Sequence, residues 1–118
     1  MKRKTALWIA RIICLIWAGF WAWFGLVSGS EAYGGGIQGI IKNSPNALPG
    51  AAFLLITWIA WKKPQIGGMV LIVIGTIIAF GYPLMASNFA LSVIIMMEFA
   101  FALPPLLVGG LFLWGSRE

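Results

Sequence analysis

The chain has 118 residues, of which 61% are hydrophobic and only 9% charged, with a net charge of +5 and a mean hydropathy of +0.96. A water-facing surface usually needs about 25% charged residues, so a soluble domain is excluded and an all-α integral membrane protein is expected. One cysteine and no histidine leave no intramolecular disulfide and remove the commonest metal ligand and general base.

Crossing ~30 Å of hydrocarbon takes about 20 helical residues. Four apolar windows approach that length, at about 5–28, 47–61, 64–82 and 88–114. Backbone groups in lipid must be paired within the segment, so helices are expected over strands. The first window follows the basic Met1–Lys4 stretch and resembles a secretory leader in that respect. Its length and its four tryptophans, Trp8, Trp17, Trp21 and Trp23, predict a retained anchor instead, since leader cores span roughly 7–15 residues.

The connection that follows, "GSEAYGGGIQGIIKNSPNALPG", is the longest. Its glycines mark turns, and "IQGIIK" reads equally as a short interfacial helix or a plain loop. The second window is short and is completed at the Pro49–Gly50 turn region. Between the second and third windows, Trp61 anchors at the interface, Lys62 and Lys63 bind head groups, and Pro64 suits a first helical turn. Gly67 and Gly68 then admit a close backbone neighbour. The fourth window is long, and Pro104–Pro105 is expected to kink it because each proline removes a helical donor. The whole chain is expected to form one domain, a four-helix transmembrane bundle of up-down topology. Lys2, Arg3, Lys4, Lys62, Lys63 and Arg117 fall on one side of it and only Lys42 on the other. Both termini are therefore expected in the cytoplasm, with the protein in the inner membrane.

The stretches "LPGAAFLLITWIAWKKPQIGGMVLIVIGTI" and "LPPLLVGGLFLWG" resemble a group of small, uncharacterised prokaryotic four-helix membrane proteins. Those carry a tryptophan–basic–x–proline–x–x–glycine–glycine hairpin and a proline–leucine-rich last span. The likeness covers roughly the last 70 residues. It implies the fold and carries neither substrate nor catalytic residue.

Helix packing in lipid relies on small residues, because leucine gains little by leaving lipid for leucine. Ala18, Ala22, Gly25 and Gly29 fall within roughly 40° of the line through Arg11 at about 100° per residue, which defines a packing stripe. Arg11 either snorkels to the cytoplasmic head groups or faces inward on that stripe. On the fourth span, Glu98, Ala102, Pro105 and Gly109 share a face by the same counting. Glu98 lies about 15 Å from the outer boundary and Arg11 about 9 Å from the inner one, so an extended arginine reaches the acid. The first and fourth helices are then expected to pack through Arg11, Ala18 and Ala22 against Glu98 and Ala102. Ala10 is placed on a different face. Thr57 and Thr76 fall at similar depth; each either bonds its own helix or joins Glu98 and Arg11 in a buried polar cluster.

Catalysis is not expected. There is no histidine or aspartate, and "GGGIQG" follows no strand, so it is no phosphate cradle. Cys14, deep in the first span, reads as a small buried hydrophobe. No cofactor, metal or nucleic acid is expected; the expected partners are the bilayer and either further copies or a larger membrane complex. Two functions fit: a non-catalytic accessory, assembly or self-associating membrane protein, or a small homodimeric proton-coupled transporter that uses Glu98, since intramembrane acids mark ion pathways. Arg11 discriminates between them, because a fixed cation beside a carboxylate holds it ionised.

Overall fold

The computed structural model describes residues 2–28 and 33–117. Gly29, the last residue of the small-residue stripe, lies outside them. The described residues are helical almost throughout, with helix α1 over Arg3–Val27, α2 over Gly36–Asn43, α3 over Leu48–Lys62, α4 over Pro64–Met85, α5 over Leu91–Met97 and α6 over Leu103–Gly115. A 3-10 turn, Ser44–Ala47, leads into α3, and a wide π turn, Glu98–Ala102, joins α5 to α6 as one rod. Three of these, α1, α4 and the Leu91–Gly115 rod, are long and apolar enough to cross a membrane.

At 15 residues α3 is shorter, as the sequence anticipates. The 3-10 turn rather than the Pro49–Gly50 region extends it: turn and helix together supply about 30 Å of rise. Pro49 falls within the first turn of α3, where a missing N–H costs nothing. The "IQGIIK" segment is helical, as part of α2, entered through Gly34, Gly35 and Gly36 at φ of 98°, 70° and 62°. A β-carbon is strained in that left-handed region, and three glycines in succession let the chain reverse there.

The four long rods form a ring in which α1 packs on α3 and α6, and α4 packs on α3 and α6. Small residues set each contact. A β-carbon at Gly50 would lie 2.3 Å from the Ala22 Cα, and one at Gly67 would lie 2.2 Å from the Ala60 Cα. Gly68 and Gly109 meet backbone to backbone between α4 and α6, and Gly115 meets the Arg3 carbonyl and Leu7 between α6 and α1.

These contacts correct the expected packing of the stripe. Ala22 and Gly25 face α3 and its lead-in turn, the latter against the Asn46 carbonyl, and not the last helix. Ala102 and Gly109 face α4, beside Gly75 and Gly68. Ala10, expected on another face, is fully buried, and the core line of α1 runs through Ala6, Ala10, Cys14, Trp17 and Ala18. The offset has a simple cause. With nearly every position of α1 apolar, hydrophobic periodicity does not mark the inner face. Ala22 and Gly25 mark the close approach of α3 and its lead-in turn, whereas Ala18 lies on the buried line. The centre of the bundle is filled by Phe112, Leu71, Val108, Pro105 and Cys14.

Candidate functional site

At one end of the bundle, Arg11 donates from Nη2 to the Trp61 carbonyl at 3.1 Å. Its guanidinium carbon lies 5.0 Å from the Trp8 ring centre and 5.4 Å from that of Trp61, and the two rings meet edge to face. The reason lies in the hairpin. Trp61 is in the last turn of α3, where carbonyls have no helical donor, and Pro64 starts the next helix without supplying an N–H. A cation at a helix C-terminus is also favoured by the macrodipole. Arg11 therefore ties α1 to the α3–α4 hairpin, at the end where Lys62 and Lys63 stand. The expected Arg11–Glu98 pair does not form: Nη2 bonds the Trp61 carbonyl, while the Arg11 Nε and the Glu98 Oε1 are each buried without a partner among the described residues.

At the opposite end, Asn43 is buried and its Nδ2 meets the carbonyls of Gly25, Leu26 and Ser28 at 3.2, 3.0 and 2.5 Å. These are the terminal carbonyls of α1. Asn46 in turn donates to the Asn43 Oδ1. In sequence the Asn43–Ser44–Pro45 stretch reads only as a turn; nothing local says that its amide is buried.

Between these ends, Thr57 and Thr76 separate. Thr57 is buried, donates to the Phe53 carbonyl at 2.8 Å and lies 3.1 Å from the Cys14 sulfur. Thr76 donates to the Ile72 carbonyl on an exposed face. Both thus make the bond to their own helix that a lone membrane threonine usually makes. The candidate cluster of Glu98, Arg11, Thr57 and Thr76 is not assembled among the described residues; Thr57 meets Cys14 instead.

Glu98 opens the π turn. The wide turn arises just before Pro104 and Pro105, and the Leu103 N–H bonds the Glu98 carbonyl rather than that of Phe99. Neither proline can donate, so the Ala100 carbonyl loses both its α-helical donor at 104 and its π-helical donor at 105. The Trp21 indole supplies one from α1 instead, at 3.0 Å. Trp21 also packs on Phe101, whose ring meets Phe53, which stacks on Trp17 at 4.2 Å. This aromatic layer joins α1 and the last rod partway along, as the Gly115 contact with Arg3 and Leu7 does at the end.

An extra residue in a turn advances the helix phase by about 100°, which carries Glu98 from the line of Ala102, Pro105 and Gly109 to its rim. There the acid lines an open groove of about 150 Å³ with Ala79, Phe99, Ala102, Leu103 and Leu106. Its Oε1 is buried with no hydrogen-bond partner among the described residues. A buried polar atom left unpaired costs free energy and calls for an explanation.

The site so described is a carboxylate on the rim of an all-helical bundle of apolar rods, with no group of metal-binding side chains among the described residues. The chain belongs to the family Domain of unknown function (DUF7670), whose model matches residues 1–117, well beyond the last 70 residues on which the resemblance rests. No curated protein and no solved structure matches it.

Proposed function

We propose that the chain is a non-catalytic integral membrane protein of prokaryotic origin that works by assembling with other chains inside the bilayer. It would sit in the inner membrane with both termini cytoplasmic and the last helix bent by Pro104–Pro105 at the wide turn. The long axis of 52 Å suits a bilayer of about 40–45 Å including head groups. The Arg3–Gly115 contact puts the two termini at one end with the α3–α4 hairpin, which gathers Lys2, Arg3, Lys4, Lys62, Lys63 and Arg117 there in accord with the positive-inside rule.

One observation carries the assembly reading. The bundle interior is filled by Phe112, Leu71, Val108, Pro105 and Cys14, while the Glu98 carboxylate, whose Oε1 has no partner among the described residues, lies outside that core, on the groove beside α4. A polar side chain that faces lipid is expensive, and pairing with a neighbouring helix is what relieves it. Purification from native membrane in mild detergent tests this. Stoichiometric co-migration of another chain, or of further copies, is expected, and a lone monomer under every mild condition sinks it.

The homodimeric proton-coupled transporter draws on the same residue. Arg11 bonds the Trp61 carbonyl and Glu98 has no ion-pair partner among the described residues, and intramembrane acids mark ion pathways. Proton flux into liposomes, present in the wild type and lost in Glu98→Gln, would install this reading in place of assembly.

A further inference from the structure

We infer that the groove at Glu98 seats a transmembrane helix of a different chain that carries a lysine or arginine opposite the carboxylate. This rests on the assembly reading and names its partner by chemistry. The Oε1 atom is buried and has no partner among the described residues, with apolar side chains forming the rest of the groove. Small side chains, Ala79 on α4 and Ala102 on the last rod, stand beside it, and small residues are what let a helix approach closely in lipid.

Charge decides who the occupant is. Glu98 lies seven residues into the Leu91–Gly115 rod, about 10 Å from its outer end. A second copy offers no cation at that depth. Its basic residues Lys2, Arg3, Lys4, Lys62, Lys63 and Arg117 stand at the far end, and Arg11 is held by Trp61. Lys42 is at the near end but on α2, which packs on α1 and the 3-10 turn, across the bundle from the groove. A two-fold pair through this face would set one Glu98 against the other, which like charges oppose. A lysine or arginine from a different helix satisfies the carboxylate and loses its own exposure to lipid.

The test uses the full chain in phosphatidylcholine vesicles with three synthetic leucine–alanine transmembrane peptides. They bear a lysine, a leucine or a glutamate at Glu98's depth, and association is read by energy transfer between labels. The lysine peptide is expected to associate about tenfold more tightly than the leucine peptide, the scale of an interhelical polar contact in lipid, and the glutamate peptide more weakly than either. Glu98→Gln should abolish the lysine preference, and Ala79→Phe, which fills the groove and keeps the charge, should abolish it too. Equal association of lysine and leucine peptides overturns the inference, as does a lysine preference that survives either substitution. Self-association of the protein that excludes the peptide and is lost in Ala79→Phe assigns the groove to a second copy and equally overturns it. Because the peptides need no native partner, failure here is distinct from failure of native co-purification.

Discussion

The Trp21 indole N–H donates to the Ala100 carbonyl at 3.0 Å across 79 residues of chain, giving the last rod a donor that its own backbone lacks. Trp21→Phe keeps the ring contact with Phe101 and removes only that donor. It should cost about 0.5–1.5 kcal/mol, the net worth of one hydrogen bond, in a detergent-unfolding assay. With Pro104→Ala the backbone N–H at 104 returns, so Trp21→Phe should then cost markedly less. Equal costs in the two backgrounds would mean that the indole is not the substitute donor.

Arg11 and Glu98 are separate sites, so their substitutions should add. Arg11→Met removes a charge-assisted bond to the Trp61 carbonyl and should cost about 1.5–3 kcal/mol. Glu98→Gln, which breaks no hydrogen bond among the described residues, should leave thermal stability nearly unchanged. The double variant should show the sum. A large loss in Glu98→Gln that is recovered in Arg11→Met with Glu98→Met would restore the buried pair.

Gly109 and Gly110 are adjacent and should respond oppositely to alanine. A β-carbon at 109 would lie 2.7 Å from the Ile72 Cγ1 and 2.9 Å from the Gly68 carbonyl oxygen, whereas nothing lies within 4 Å of one at 110. Gly109→Ala should cost about 1–3 kcal/mol through overpacking. Gly110→Ala should be neutral or stabilise by up to about 1 kcal/mol through helix propensity. The same unfolding assay reads both, and equal effects would remove the close α4–α6 contact.

Asn43→Ala strips the amide from the end of α1, leaving the carbonyls of Gly25, Leu26 and Ser28 without it. A loss of about 1–3 kcal/mol is expected, with faster hydrogen exchange in α2, whose last residue this is. Asn46→Ala, one step further out, should cost less. The reverse ranking would place the anchor at Asn46.

Orientation is tested by single-cysteine labelling in a Cys14→Ala background. Ser44→Cys is expected to react with an impermeant reagent from the outer face, and Ser116→Cys only after the membrane is opened. Protection at 44 together with labelling at 116 would reverse the orientation.

Much of the architecture was legible because it follows from chemistry that each segment carries alone. Apolar runs of sufficient length must be helical where water is absent, and Pro64 after Lys62–Lys63 marks a helix start wherever the hairpin lies. Even the wide turn is half legible, since Pro104 and Pro105 visibly deprive the carbonyls four and five residues earlier of their donors. Which side chain repairs that loss was not legible. Trp21 reads like the other tryptophans of α1, and only the α1–α6 packing carries its N–H to Ala100. The same holds for Arg11 and Asn43, each of which serves carbonyls on another element. Helix phase was the weakest inference: at nearly uniform hydrophobicity, neither the inner line of α1 through Ala10 and Cys14 nor the rim position of Glu98 is encoded locally. The sequence by itself determined four apolar helical segments, their breaks and the placement of charge along the chain, because those depend on residues close in sequence. Tertiary structure alone decided which face of each helix meets which neighbour, and so left the Glu98 Oε1 without a partner among the described residues, because in apolar helices that choice is made by shape and by distant carbonyls in need of a donor.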